Sequence, residues 1–251
     1  MKAPKKSDIA YLAIRRAIIE QALTPGTKLP EDRLGAEFQV SRTLIRAALA
    51  QLASEGLVVV GNKRVATVAQ PSLDEARAVF EVRRCLENEV VRLVIERWQP
   101  AMGAALEGHV REEALAAKAG QVTASIRLAG EFHIKLAQMT GNALLERYLS
   151  EVATRCSLIL AVYGRPHSSD CAINEHRELI DALRKKDAAR AVKLMSDHIG
   201  GIESRALISE IVQSDQDLSA ILTRYAAAVE PAKAAATLKP VVAKRRATSS
   251  K

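Results

Sequence analysis

The chain has 251 residues, 48% of them apolar and 26% charged, and a formal net charge of +8. This length and apolar share give enough material for a real core in one large or two modest domains, and they exclude a wholly disordered chain or a small disulfide scaffold. No apolar run approaches the roughly 18–20 residues of a membrane span, and residues 1–6 lead into no continuous apolar stretch of the secretory kind. Cys85, Cys156 and Cys171 are odd in number and widely scattered, as in a chain of reduced thiols, so a soluble cytoplasmic protein is expected.

The charge is unevenly placed. Residues 1–6 hold three lysines and residues 231–251 six Lys or Arg, neither stretch with an acid, while residues 7–69 carry eight bases against six acids. A basic N-terminal quarter on a mildly acidic middle fits an anion-binding head on a differently employed body.

In chain order, residues 7–22 read as a helix with Ser7 or Asp8 as cap and apolar Ile9, Leu12, Ala13 and Ile19. Thr24-Pro25-Gly26 turns the chain, and Pro30-Glu31-Asp32 opens a short helix running to about Phe38, its acids at the positive end of the dipole. Ser41 caps a third helix, 42–55, with the stripe Ile45, Ala48, Leu49 and Leu52, and Gly56 ends it. Residues 57–60 and 66–69 are β-rich runs that form a hairpin. Three helices and a hairpin predict a winged helix-turn-helix over 1–69. After a linker at 70–72, the chain reads as helices only, near 73–98, 101–118, 121–139, 142–163, 170–185, 187–210 and 215–229. The expected fold is therefore mainly α: an N-terminal winged helix-turn-helix and, over 73–230, an all-α antiparallel helical bundle. Residues 231–251 read as a disordered basic tail.

A recognition helix keeps its inner face on the core and offers the outer residues of its first turns to DNA. With Ile45, Leu49 and Leu52 inward, Arg42, Thr43 and Arg46 face outward, where arginine forks suit guanine edges and phosphates. Lys63 and Arg64 sit at the hairpin tip. The plainer alternative is a protein-binding winged helix with ordinary solvated charges.

In the body, His133, His176 and His198 each stand alone on an apolar helical stripe: His133 with Ile126, Ala129, Gly130, Leu136 and Ala137; His176 with Ile173, Leu179, Ile180 and Leu183; His198 with Ala191, Leu194, Met195 and Ile202. One buried histidine is usually a hydrogen-bonded core residue. Three from three helices fit convergent ligands for a divalent metal. His109 lies beside Glu112 and Glu113, and His167 falls in a loop.

The segments Pro25-Gly26-Thr27-Lys28-Leu29, Val40-Ser41-Arg42-Thr43, Ile45-Arg46-Ala47-Ala48-Leu49 and Leu52-Ala53-Ser54-Glu55-Gly56-Leu57-Val58 resemble the head of the GntR family of bacterial transcription regulators. That resemblance places DNA contacts on Arg42, Thr43 and Arg46, with Arg64 on the wing. Three positions depart from it: Leu44 stands for a proline, Val65 for the wing glycine, and Asp32 for a phosphate-binding arginine, which shifts that contact to Arg33. Phe80–Glu87, Glu131-Phe132-His133, Asn174–Leu183 and Asp187–Ala191 with His198 resemble the FCD effector domain of the FadR-like subfamily. The resemblance implies a homodimer on double-stranded operator DNA, responding to a small organic acid. It also implies zinc, nickel or manganese held by the three histidines and an aspartate four residues before the first. Ala129 occupies that position here, leaving three histidines with zinc or nickel as the expected metal, or a metal-free pocket in which they bind the anion directly. Glu131 is rotated off His133's face and Asn142 reads as a helix cap, while Arg83 and Arg84 are the expected effector-carboxylate partners. The rival functions are a metal-dependent hydrolase, which lacks a general base at any familiar spacing, and a constitutive architectural DNA-binding protein, which leaves the polar cluster unexplained.

Overall fold

The computed structural model describes residues 6–61, 65–163, 170–206 and 217–229. The expected Lys63 and Arg64 contacts, the loop His167, residues 1–5 of the basic N-terminal stretch and the tail at 231–251 lie outside them.

Among the described residues are ten helices and three short strands: α1 (Lys6–Ile19), β1 (Lys28–Leu29), α2 (Glu31–Phe38), α3 (Arg42–Ser54), β2 (Val58–Val59), β3 (Ala66–Val68), α4 (Leu73–Glu96), α5 (Pro100–Lys118), α6 (Val122–Met139), α7 (Ala143–Tyr163), α8 (Asp170–Arg184), α9 (Ala188–Ala206) and α10 (Leu218–Val229). The mainly-α reading holds. The Ser41 hydroxyl caps α3 by accepting from Leu44 N at 3.4 Å. Ser72 and Glu75 form a reciprocal capping box at the start of α4. Asn142 caps α7, its Oδ1 accepting from Leu144 N and Leu145 N at 3.2 Å each.

The hairpin strands pair antiparallel with Val58 opposite Val68, and β3 also takes β1 on its other edge with Lys28 opposite Thr67. β1 is two residues long, too short for any alternation, so the sequence showed only a turn there.

Two cores form. The body's centres on Phe80, Val94, Leu106, Phe132, Leu149 and Ile199. The head's gathers Ile14, Ile18, Leu34, Ile45, Leu49, Leu52 and Val68, and three buried residues of α10 join it: Leu218, Leu222 and Tyr225. α10 falls within the stretch expected to belong to the body, yet its apolar face is buried on α1 and α2, so residues 73–230 do not pack as one unit. The sequence placed a helix near 215–229 but not the neighbour on which it docks.

Head and body meet at specific points. Arg15 donates to Thr154 Oγ1 at 2.6 Å and to Glu55 at 3.0 Å, while Arg155 donates to the Glu55 carbonyl at 2.9 Å. Gly56 ends α3 at φ +76°, a conformation costly to residues with a Cβ, and a Cβ built there would stand 2.8 Å from Arg155 Nε. A cavity of about 280 Å³ runs along the seam, lined in part by Leu12, Arg16, Arg127 and Gly130. Gly130 therefore faces the seam rather than the inward stripe expected for it beside His133.

Candidate functional site

α6, α8 and α9 bring His133, His176 and His198 together in the body's interior, with side chains 2%, 1% and 5% exposed. One ring nitrogen from each lies within 4.8 Å of the others, and Nε2 of His133 and His198 are 3.3 Å apart. Nitrogens bound at about 2.0–2.1 Å to a tetrahedral ion stand roughly 3.3–3.4 Å apart, so that pair already has the spacing of a shared ligand edge. Phe132 stacks on the His176 ring with centroids 4.0 Å apart and fixes its plane.

Each histidine faces a carboxylate through Nδ1. His176 meets Glu113 of α5 at 3.1 Å, His198 meets Glu175 of α8 at 2.5 Å, and His133 has Glu87 of α4 at 2.8 Å, close enough for an ion pair but not aligned for a hydrogen bond. A carboxylate on one imidazole nitrogen fixes the tautomer and leaves the other nitrogen's lone pair free for a metal. The buried side-chain atoms that lack a hydrogen-bond partner among the described residues are Glu87 Oε2, Glu113 Oε1, His133 Nδ1 and His176 Nε2. All belong to this one cluster, and unmet polar atoms that deep cost stability unless something binds there.

Burial pushes the His133 pKa down to about 3, outweighing the carboxylate of Glu87, and burial likewise lowers that of His198 against the pull of Glu175. Both rings are neutral near pH 7, the form that ligates metals. Burial would raise Glu87, but the His133 ring and the Arg83 guanidinium hold it down to about 2. Glu87 is therefore an ionised carboxylate with Arg83 Nε donating to its Oε1 at 3.0 Å. Arg83, expected to meet the effector, reaches the cluster only through this carboxylate, and Arg84 pairs instead with Glu203 of α9. Ala129 offers no ligand. Glu131 turns to Arg127, which donates to it at 2.7 and 2.8 Å. His109 sits apart from the three, its Nε2 2.8 Å from the Leu128 carbonyl.

Sequence reading missed Glu87, Glu113 and Glu175. For the first two a signal exists: Glu87 is a lone acid among Phe80, Val90 and Val94, and Glu113 among Leu106, Val110 and Ala116. That is the pattern that singled out the histidines.

In the head, Arg42, Thr43 and Arg46 are exposed on α3 above buried Ile45 and Leu49. The arginines are held by acids at the start of α2: Arg42 pairs with Asp32, and Arg46 Nε donates to Glu31 at 2.7 Å. Arg33 is exposed and donates to Ser219 Oγ of α10 at 3.2 Å, with Asp217 3.9 Å away.

Comparison with known proteins agrees with this architecture. Residues 6–68 match the family model for bacterial regulatory proteins of the gntR family, and residues 78–201 match the FCD domain. The chain is 24% identical to the HTH-type transcriptional repressor RspR of Escherichia coli K12, over 82% of this chain and 90% of RspR. It is 28% identical to the repressor NanR of Salmonella newport, over 80% of this chain and 85% of NanR. Its fold is similar to that of E. coli McbR/YncC, with a TM-score of 0.71 at 19% identity, covering 79% of this chain and 95% of that one.

Proposed function

Because the chain belongs to the GntR family of bacterial transcription regulators, with an FCD domain behind its winged head, we propose that it is a dimeric, ligand-responsive regulator. In this reading it acts in the cytoplasm on two-fold operator DNA, and its body holds zinc or nickel through His133, His176 and His198 and senses a small organic acid there. Members of the family regulate transcription and are not enzymes, which disposes of the hydrolase reading; no described helix is long and apolar enough to cross a membrane.

The observation that carries the metal is the convergence of three buried imidazoles whose ligand nitrogens lie within 4.8 Å of one another, with His176 Nε2 otherwise unmet. The donor set fits: three imidazoles, His133 and His198 neutral near pH 7, each with a carboxylate at Nδ1. A bound divalent ion supplies Lewis-acid charge that attracts a carboxylate ligand. Glu87, Glu113 and Glu175 orient the rings and surround the cluster with carboxylates. That surround favours a cation over direct binding of an anion by the histidines. Arg84, at 34% exposure, is the arginine that an effector carboxylate reaches without displacing a buried partner. On the DNA side the reading assigns Arg42, Thr43 and Arg46 to the operator, with Arg33, Lys63 and Arg64 flanking.

Metal analysis of protein purified without chelators or an affinity tag tests the reading, with His176→Ala alongside. Near-stoichiometric zinc or nickel is expected in the wild type and a large loss in the variant. A wild type with no metal, whose melting temperature is unmoved by added zinc or nickel, would end the metal model.

A further inference from the structure

Glu20, just after α1, is a carboxylate only 3% exposed at the point where three parts of the fold meet. Its Oε1 accepts from Arg16 Nε of α1 at 2.9 Å and from Arg127 Nε of α6 at 3.1 Å, and its Oε2 accepts from the Tyr225 hydroxyl of α10. Tyr225 is 2% exposed and has the Arg16 and Arg224 guanidiniums over its ring at 5.9 and 5.6 Å. Arg127 precedes His133 on α6 by six residues, about 9 Å of helix. At its other end α10 grips α2: Ser219 and Asp217 take Arg33, and Thr223 donates to Glu37. α10 lies beyond both family matches, which end at residues 68 and 201.

We propose that Glu20 is a positioning residue through which the body helix α6 and the C-terminal helix α10 jointly set the orientation of the DNA-binding head. A buried carboxylate with donors from three separate elements holds all three only while each donor stays in place. A displacement of α6 at its histidine end therefore reaches both α1 and α10 through one group. Removing its charge strands neither arginine, because Arg127 keeps its two bonds to Glu131 and Arg16 is 37% exposed to water, while the buried Tyr225 hydroxyl loses its charged acceptor. The head thus loses its tether without losing its core.

The test compares full-length wild type with Glu20→Gln, Tyr225→Phe, Arg127→Gln and the Glu20→Gln/Arg127→Gln double variant. In hydrogen exchange followed by mass spectrometry, α10 amides are expected to exchange at least about tenfold faster in Glu20→Gln and Tyr225→Phe, with α8 and α9 unchanged. The second measurement rests on the dimeric reading and uses duplexes selected from a random-sequence pool, carrying one or two half-sites. Preference for the two-half-site duplex should fall about fivefold or more, a coupling at the low end of the usual allosteric range. Single-half-site affinity should stay the same, which a merely damaged head would not allow. The double variant should be no worse than the worse single. Unchanged α10 exchange in both Glu20→Gln and Tyr225→Phe overturns the proposal, as does an additive double variant. A wild type that does not distinguish one half-site from two refutes the dimeric reading instead, and the exchange measurement still decides the role of Glu20.

Discussion

Neutralising the two acids at the start of α2, with Glu31→Gln and Asp32→Asn together, should raise DNA affinity while lowering thermal stability. In the free protein these acids hold Arg46 and Arg42, the two arginines to which the proposed function assigns operator contacts. Both arginines are about two-thirds exposed, so each pair is worth only about 0.2–1 kcal/mol. Breaking the two therefore costs DNA binding about 0.4–2 kcal/mol, or roughly 2- to 30-fold in affinity. Repulsion between the acids and nearby phosphates adds to this within a Debye length of about 8 Å. Stability moves the other way, because both acids sit in the first turn of α2, where each gains about 0.3–1 kcal/mol from the helix dipole. Fluorescence anisotropy with a labelled duplex at low and physiological salt reads the first effect and calorimetry the second. The affinity gain should be larger at low salt. Unchanged affinity with a lowered melting temperature would mean that the arginines let go of their acids at no cost, and that the recognition surface lies elsewhere.

Glu113→Gln should weaken zinc binding about 10- to 100-fold while leaving the helical fold intact, since it loosens only the orientation of His176; competitive titration against a chelating dye measures it. Gly56→Ala and Gly120→Ala both place a Cβ at positive φ, but only the first meets Arg155. Gly120→Ala should cost about 1–2 kcal/mol in urea unfolding and Gly56→Ala clearly more; equal losses would mean that the docking of Arg155 contributes nothing. Deleting residues 231–251, with their six cations, should flatten the salt dependence of DNA binding without changing the preferred sequence, and an identical slope would show that those charges stay off the DNA.

Features encoded over one or two helical turns are legible in the sequence. Ile45, Ala48, Leu49 and Leu52 recur at helical spacing with Ser41 before them, and that fixes which side of α3 carries Arg42, Thr43 and Arg46. The three histidines were legible for a related reason: a single polar ring on an apolar stripe has to face inward, and three stripes share one interior. Their partners were not, because a glutamate on a helix looks solvated until the facing helix is known. Glu87, Glu113 and Glu175 are set against their histidines by packing, across sequence separations of 46, 63 and 23 residues. Arg83 shows the same limit from the other side. Its closeness to the site could be guessed, but its commitment to Glu87 follows from the i, i+4 geometry inside a buried helix. The destination of α10 was out of reach altogether, since a helix read near 215–229 carries no record of the neighbour on which it docks.

The return of α10 to the head makes the DNA-binding unit discontinuous in the chain, with the whole body spliced between its two parts. A ribosome delivers residues 6–68 early, yet Leu218, Leu222 and Tyr225, which close that core, emerge last. At a synthesis rate of about 5–20 residues per second, the head waits on the order of ten seconds or more with part of its apolar surface uncovered. The nascent head therefore keeps part of its apolar surface uncovered until the body has been made. An excised fragment ending near residue 69 would keep that surface bare, open to association with other copies of itself. Biosynthesis thus imposes an order of events: the core of the head is completed only after the body of the chain exists.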